Sequence, residues 1–341
     1  MLVTLANILN RHGHEVTVVT TVKPGPLSAK LDKNISLVNI NRKSKWNIFS
    51  MYKLYRAIRR YDIIHVHSSY NLRYLFLTSK LFFLRKPIFF HEHFGDIEID
   101  ATVKWHHRYI YPKTTMICVS RKIYDWASVN LQMGKDRLFV LPNIVLKNDG
   151  VPEGKKSNDG KVKLLIVSNI RPTKNLEFAI ELLYRLKQSH DCNLTIIGQR
   201  IDEVYYQTLI SLINKYALAD NIAMLHAVQD IQPLLHNYDL AIHTAKSESG
   251  PLALIEYLAQ CLPFLTYNTG ETVFQIKDDL PECVIGSFEI EEWINRIETL
   301  LAGPKEIIKE RLSSVYANNF SAESYYQQCL HIYEAGIAAK Q

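Results

Sequence analysis

Short apolar runs alternate with segments of helical periodicity along the whole chain. Each run is rich in β-branched, aromatic or other large apolar residues. The runs are EVTVVTT, SLVNI, DIIHVH, PIFFHEH, TMICVS and RLFVLP in the first half, and VKLLIVS, NLTIIG, NIAMLH, DLAIHT and PFLTY in the second. Strands separated by helices favour parallel sheets, because a parallel connection needs a crossover segment. The pattern therefore predicts an α/β protein with two successive series of parallel strands.

A polar stretch that contains several glycines and lysines, VLKNDGVPEGKKSNDG, separates the two series. We interpret residues 1–144 as a first domain, 145–160 as a linker and 161–318 as a second domain. Only helical patterns follow Phe288, and the last of them spans residues 319–341.

The chain opens on a helical pattern, in which Leu2, Leu5 and Leu9 form one face before Gly13 and the strand at 15–21. A βαβ unit begins on a strand, so we expect the first domain to lack its first strand and the loop after it. A sheet built with one strand fewer is the alternative, and it would leave a hole where a central strand would lie.

Composition agrees with a globular protein of about two domains. The 341 residues are 47% hydrophobic and 22% charged, and no apolar run approaches the ~18 residues that cross a bilayer. The start, MLVTLANILNRHGHEV, lacks the features of a signal peptide. Five scattered cysteines without C-x-x-C spacing indicate thiols in a reducing compartment. We therefore expect a cytoplasmic protein.

The net charge of +6 is modest. It suits phosphate groups or an anionic surface, and no nucleic-acid motif accompanies it. We expect no nucleic-acid partner.

Candidate chemistry concentrates in SESGPLALIEYLAQCLPFLTYNTG, where Glu248 precedes a predicted helix and Glu256 lies inside it. Pro251 suits the first helical turn, and Ser249 or Gly250 can cap it. The exposed N–H groups of such a helix start attract phosphate. Glu256 lies roughly 9 Å from the start, at about 1.5 Å per residue, which suits contact with ribose hydroxyls. An amphipathic helix with two exposed acids is the alternative.

This segment is similar to the signature of the retaining glycosyltransferases of family four, in which two glutamates are separated by seven residues. Here the pair reads E-SGPLALI-E, and the family's A-x-x-x-P follows it. Ser249, Gly250 and Pro251 replace the residues that usually follow the first glutamate. The resemblance implies the GT-B fold, with two Rossmann-like domains whose parallel sheets face each other across a cleft. It also implies a last helix that crosses back to the first domain.

The segment NIRPTKNL resembles the family loop that contains a phosphate-binding lysine, at the position of Lys174. Asn169 replaces the family's arginine, and Arg171 offers a second cation. Such charges stabilise a departing diphosphate, so we expect a metal-independent enzyme without a cofactor. Asp96 and Asp100 have the wrong spacing for a D-x-D metal site. Solvated loop charges are the alternative for both cations.

The resemblance assigns two further loops to the nucleotide. One contains Gly198 and Arg200, and the other contains His226 and Val228. The complete predicted donor site is Asn169, Arg171, Lys174, Gly198, Arg200, His226, Val228, Glu248, Ser249, Gly250, Pro251, Leu252 and Glu256.

In PIFFHEH, His91 and His93 share one side of a predicted strand. The resemblance makes His93 a catalytic residue, with Lys174 and Glu248, that hydrogen-bonds the donor sugar. A packed strand-end histidine, or a metal pair with Glu92, is the alternative. His65 and His67 repeat the alternation, and we interpret them as cleft or core residues.

The segment Arg42–Tyr61 is basic, with aromatic residues at nearly helical spacing. It predicts either a helix that lies on an anionic membrane or a helix that covers a sheet and has a solvated basic face.

These features predict transfer of a hexose from a UDP-sugar or GDP-sugar to a glycan or lipid-linked acceptor, with retention of anomeric configuration. The resemblance suggests bacterial surface polysaccharide synthesis, such as capsule or lipopolysaccharide, by an enzyme peripheral to the inner face of the plasma membrane. A sugar-nucleotide epimerase or phosphorylase, or a non-catalytic sugar-nucleotide binder, is the alternative.

Overall fold

The computed structural model describes residues 1–93, 101–150 and 160–339. The chain divides into two compact units, Met1–Ile144 with Ala322–Gln341 and Val145–Ser321. The sequence-based division placed a linker at 145–160, and its residues 151–159 lie outside the described part. The two units are described separately below.

The first unit contains strands β1 to β6, helices α1 to α5 and the last helix, α13. In chain order these are α1 Leu2–Arg11, β1 Thr17–Thr20, β2 Ser36–Asn39, α2 Ile48–Ile58, β3 Ile64–His67, α3 Ser69–Leu81, β4 Ile88–Glu92, α4 Trp105–Ile110, β5 Thr115–Cys118, α5 Arg121–Leu131, β6 Leu138–Val140 and α13 Ala322–Ala338.

The strands of the first unit form two parallel sheets. One contains β1 and β2, and the other has the order β3, β4, β5, β6. Among the described strands, β1 and β3 form no ladder with each other. Buried residues of the larger sheet, such as Phe90 and Met116, pack on Leu72 and Ile123 of the covering helices.

Helix α13 packs closely on the strands of the first unit. Gly336 permits this approach, because a Cβ atom there would lie 2.5 Å from Cε1 of Phe89 and 2.6 Å from Oγ1 of Thr115. Tyr333 contacts Phe89 edge to face, with ring centroids 4.8 Å apart. The last helix therefore belongs to the core of the first unit.

The second unit contains strands β7 to β12 and helices α6 to α12. In chain order these are β7 Val162–Val167, α6 Leu176–Leu186, β8 Cys192–Ile197, α7 Glu203–Lys215, β9 Ile222–Leu225, α8 Gln232–Leu235, β10 Leu240–His243, α9 Leu252–Ala259, β11 Phe264–Tyr267, α10 Glu271–Ile276, β12 Val284–Ile285, α11 Ile290–Ala302 and α12 Lys305–Asn319.

The six strands of the second unit form one parallel sheet in the order β12, β11, β10, β7, β8, β9. The chain passes from the middle of the sheet to one edge and then returns to fill the other side. Strands β7 and β10 are therefore neighbours, with Leu164 opposite Leu240. Ligands of such sheets bind where the strand order reverses, beyond the carboxyl ends of the strands.

The fold class predicted from the sequence is confirmed, since both units are Rossmann-like α/β structures with parallel strands. Within the described ranges, every helix is too short or too polar to cross a membrane. All five cysteines are free thiols, and four of them are buried.

Gly198 lies where the ends of β7 and β8 come together. A Cβ atom at this position would lie 2.0 Å from the carbonyl oxygen of Ser168 and 2.5 Å from its carbonyl carbon. Because the obstacle is backbone, a methyl group there forces the two strand ends apart.

We expect Gly198→Ala to lower the melting temperature by about 5–10 °C, since forced overpacking costs about 1–3 kcal/mol and sometimes more. Gly286→Ala is the matched control in the same unit, because its Cβ atom would meet no atom within 4 Å. Calorimetry of both variants measures the difference. Equal melting temperatures for the two variants would contradict the steric argument.

Candidate active site

Two loops meet at the carboxyl ends of β7 and β10. The first contains a short 3-10 turn, Pro172–Lys174, and the second follows His243. The hydroxyl of Thr244 donates to the carbonyl oxygen of Lys174 at 3.0 Å, and the amide of Lys246 donates to that of Thr173 at 3.0 Å. These bonds fix the two loops against each other.

Lys174 and Glu248 form a buried ion pair between these loops, in which Nζ of the lysine donates to Oε1 of the glutamate. Each side chain is 10% exposed. Nε2 of the buried His243 lies 3.3 Å from the same carboxylate oxygen. The structure thus brings together two of the three predicted catalytic residues and adds a histidine that the sequence analysis missed.

The carboxyl group of Glu248 is ionised in this environment. Burial alone would raise its pKa, but His243 and the charge of Lys174 outweigh burial and lower the pKa to about 2. Glu248 therefore remains an anion throughout the physiological pH range.

Helix α9 begins beside this pair. Pro251 occupies the N-cap position with extended backbone, φ −68° and ψ 113°, and no side chain caps the helix. The prediction that Ser249 or Gly250 caps a helix containing Pro251 was wrong by one or two residues. Pro251 has the φ angle of a helical residue but not the ψ angle, so the first helical residue is Leu252.

Gly270 allows a third loop to pack against Glu248. It has φ +88°, and a Cβ atom there would lie 3.0 Å from Cβ of Glu248 and 2.9 Å from Cδ of Pro251. The amide of Glu248 donates to Oγ1 of Thr269 at 3.3 Å. Glycine is the residue that adopts this φ value without strain, so Gly270 positions the carboxylate.

Glu256 lies on α9, one turn after Leu252, in an environment opposite to that of Glu248. Burial, with a smaller contribution from the charge of Asp230, raises its pKa to about 7. Near neutral pH this side chain is therefore divided between the acid and the carboxylate.

The loops that the resemblance assigns to the nucleotide also meet in the second unit. Oδ1 of Asn169 accepts from the amide of Gln199 at 3.1 Å, and Nδ1 of His226 lies 3.0 Å from the carbonyl oxygen of Gly198. Val228 packs against the apolar core. The predicted residues Asn169, Gly198 and His226 are thus close together.

The two predicted arginines differ in their surroundings. Arg200 is exposed, pairs with Glu203 and lies over the ring of Tyr206 at 3.8 Å. This agrees with the alternative that Arg200 is a solvated turn residue. Nε of Arg171 is buried without a hydrogen-bond partner in the part of the chain that the structure describes.

His93 lies in the first unit, at the end of β4. Its Nε2 lies 2.6 Å from Nδ1 of His67, and its ring stacks on His91 with centroids 4.1 Å apart. Burial lowers the pKa of His93 to about 4, so the ring is neutral.

Glu92 faces the other side of the sheet, where its carboxylate accepts from the hydroxyl of Tyr111 at 3.2 Å. A metal pair of His91 or His93 with Glu92 is therefore excluded. Asp96 and Asp100 lie outside the described residues.

Two family models match the chain. The model described as Glycosyltransferase Family 4 matches residues 1–145, and the one described as Glycosyl transferases group 1 matches residues 150–316. No curated protein sequence matches significantly. Two Rossmann-like units that match these models define a glycosyltransferase of the GT-B fold. The chain belongs to the glycosyltransferases of family four.

Solved structures agree with this fold. A glycosyltransferase from Rickettsia africae is 18% identical, with a TM-score of 0.78 over 98% of this chain and 93% of that one. Anabaena HepE, in complex with UDP and glucose, is 15% identical, with a TM-score of 0.74 over 97% and 95%. Sucrose-phosphate synthase from Thermosynechococcus elongatus is 15% identical, with a TM-score of 0.69 over 98% and 92%.

The raised pKa of Glu256 predicts a stability that depends on pH. The pKa is about 7 in the folded chain against an ordinary value of 4.5, so the folded state loses stability as the pH rises from about 4.5 to 7. Glutamine mimics the protonated acid. We expect Glu256→Gln to increase the free energy of unfolding by up to about 3 kcal/mol at pH 8 and to change it little at pH 4.

Chemical denaturation at the two pH values measures this difference. The matched control is Glu310→Gln, since Glu310 is exposed on α12 of the same unit. An equal effect of Glu256→Gln at pH 4 and pH 8 would show that burial does not hold the proton.

Proposed function

We propose that the protein transfers a hexose from a nucleoside diphosphate sugar to a glycan or lipid-linked acceptor with retention of configuration at the anomeric carbon. The observation that carries the proposal is the buried Lys174–Glu248 pair beside the start of α9. A lysine held at this point can neutralise a diphosphate as it departs, and the carboxylate can hold sugar hydroxyls.

Transfer from a sugar nucleotide requires stabilisation of the charge that develops on the leaving diphosphate. Nζ of Lys174 donates to the carboxylate of Glu248. A diphosphate that takes the lysine as its partner releases the carboxylate of Glu248 for the hydroxyls of the sugar. The amide of Leu252, the first residue of α9, would add a neutral donor to the phosphates. These donors supply the charge stabilisation without a metal ion, so we propose a metal-independent reaction.

Glu256 would bind the ribose of the donor. A carboxylate that accepts hydrogen bonds from two hydroxyls is stabilised in its ionised form, whereas burial raises the pKa of the free side chain to about 7. Binding of the nucleotide is therefore coupled to release of a proton.

The remaining predicted residues would surround these groups. Asn169, Gly198 and His226 join the loops beside the nucleotide, and Arg171 adds a cation near Lys174. His93 would hydrogen-bond the donor sugar from the first unit with its neutral ring.

Structural relatives favour a uridine nucleotide as donor, because Anabaena HepE has been solved with UDP and with UDP-glucose. Other similar structures are connected with lipopolysaccharide. They include WaaB, a lipopolysaccharide outer core galactosyltransferase, and WaaG, a glycosyltransferase of lipopolysaccharide biosynthesis. We propose a related role for this chain, at the cytoplasmic face of the membrane, in surface polysaccharide synthesis.

Calorimetric titration with UDP, GDP and their glucose conjugates tests the donor site. We expect UDP-glucose to bind, with at least tenfold loss in Glu256→Gln and Lys174→Met and no change in Glu310→Gln. We also expect the affinity to increase with increasing pH, by up to tenfold per pH unit, until about pH 7. Above that pH it should stay constant, since the carboxylate is the binding form and is then fully ionised. Affinity that is independent of pH, or unchanged in Glu256→Gln, would refute the role of Glu256.

Proton NMR of the products distinguishes the candidate reactions. Retaining transfer releases UDP and gives an α-linked product, slow transfer to water gives α-glucose before mutarotation, and EDTA leaves the rate unchanged. Epimerisation instead interconverts the donor without releasing UDP, and a non-catalytic binder leaves the donor intact. An inverted product, or complete loss of turnover in EDTA, would refute the proposed mechanism.

A second proposal concerns the surface around α2, which we propose as a contact with anionic lipid. Trp46, Phe49 and Phe83 are 68%, 83% and 85% exposed. Basic residues lie beside them, and the segment Arg42–Tyr61 contains no acid. The helix itself is shorter than this segment, Ile48–Ile58. Three arginines and three aromatic residues line a shallow pocket on this surface: Arg59, Arg60, Arg85, Tyr55, Phe82 and Phe83. Aromatic side chains together with arginines suit the interface of an anionic bilayer.

Co-sedimentation with vesicles tests this surface. We expect binding to phosphatidylglycerol vesicles at low salt and at least tenfold weaker binding by a Trp46→Ser, Phe49→Ser, Phe83→Ser variant. Val129→Ser is the control, because Val129 is 76% exposed on α5 of the same unit. Equal binding to neutral and anionic vesicles, or equal loss in Val129→Ser, would contradict the proposal.

A further inference from the structure

Strands β3 and β4 bring four histidines to one face of the first unit. The strands are parallel, with His65 opposite Phe89 and His67 opposite His91. Side chains alternate along each strand, so His65 and His67 of β3 share a face with His91 and with His93 beyond the end of β4. The rings stack in a continuous group, with centroids of His65 and His67 4.7 Å apart and those of His67 and His91 5.4 Å apart.

We propose that His65, His67 and His91 form a binding site for a divalent transition-metal ion such as Zn²⁺. Each of the three offers one ring nitrogen, and these three atoms lie within 4.8 Å of one another. His91 is fully buried, while the other two are partly buried. The site goes beyond the reaction proposed above, although two of its ligands, His67 and His91, contact His93, which that proposal places beside the donor sugar.

The spacing of the nitrogens suits such an ion. Nε2 of His65 and Nδ1 of His91 are 3.2 Å apart. Two ligands at about 2.05 Å from a tetrahedral zinc ion are separated by about 3.3 Å. Two of the three ligands are thus already at the required separation. The nitrogen of His67 lies within 4.8 Å of the other two, so it would move inward by at most about 1.5 Å to reach the same separation.

A second contact orients the first ligand. Nδ1 of His65 lies 2.7 Å from the hydroxyl of Tyr333, on helix α13. With the proton on Nδ1 and donated to this hydroxyl, Nε2 keeps its lone pair for the ion. Metal-bound histidines usually have such a partner for their other nitrogen.

The chemistry of the ligands selects the class of ion. All three donors are imidazole nitrogens, which suit zinc, copper, nickel and iron rather than magnesium or calcium. The nearest acidic residue in the sequence of β4, Glu92, faces the opposite side of the sheet and accepts from Tyr111. Three protein ligands leave a fourth tetrahedral position for water or another small ligand.

Titration of the untagged, metal-free full chain with Co²⁺ tests the site, because a tetrahedral cobalt ion has intense visible d–d bands. We expect one equivalent to bind with such bands, Zn²⁺ to displace it and Mg²⁺ to leave it in place. We expect His65→Gln and His67→Gln to weaken Zn²⁺ binding at least 100-fold in competition with a chromophoric chelator. Tyr333→Phe should weaken it about 10–100-fold.

Matched controls come from a similar pair on the same unit. Nε2 of the exposed His14 lies 3.0 Å from the hydroxyl of Tyr326, also on α13. We expect His14→Gln and Tyr326→Phe to bind Zn²⁺ as the unchanged chain does. Circular dichroism identifies any variant that fails to fold. If His65→Gln does not fold, the zinc affinities of His67→Gln and Tyr333→Phe test the site. Absence of a saturable cobalt spectrum, or unchanged affinity in folded His65→Gln and His67→Gln, would overturn the proposal.

Discussion

Burial of a lysine against a glutamate is the constraint on which the site in the second unit depends. A buried charge without a partner costs several kcal/mol, so Lys174 and Glu248 must arrive together. They come from loops that follow β7 and β10, which are distant in the chain but adjacent in the sheet. The reversal of strand order creates that adjacency. The hydrogen bond from Thr244 to the carbonyl oxygen of Lys174 then fixes the spacing between the loops.

The two glutamates separated by seven residues have opposite electrostatic environments. Glu248 interacts with His243 and Lys174, and its pKa falls to about 2. Glu256 is buried with the charge of Asp230 as its neighbour, and its pKa rises to about 7. A permanent anion is suited to hold a lysine until a phosphate replaces it. A carboxyl group that ionises near neutrality is suited to respond to hydroxyl donors, and its ionisation lowers the stability of the fold as the pH rises.

The sequence was sufficient for the elements and for part of the site. Apolar runs alternating with helical segments predicted every described strand except the short β12, and the resemblance singled out Glu248 and Lys174 without predicting that they form an ion pair. Contacts between distant loops were not predictable. His243 touches Glu248 only because β10 ends directly before that loop, and Gly270 packs on Glu248 from a loop more than twenty residues away. Similarly, alternation placed His91 and His93 on one face. The pairing of His67 with His91 depends on the register of β3 and β4, which is set by packing and not by the local pattern.

The two units thus contain two kinds of polar cluster that differ in chemistry. The second unit has an ammonium group paired with a carboxylate beside a helix start, a combination of charge and backbone N–H donors that suits phosphate. The first unit has neutral imidazoles, which attract transition metals and have little affinity for magnesium. A response of the protein to zinc is therefore no evidence for metal catalysis at the diphosphate.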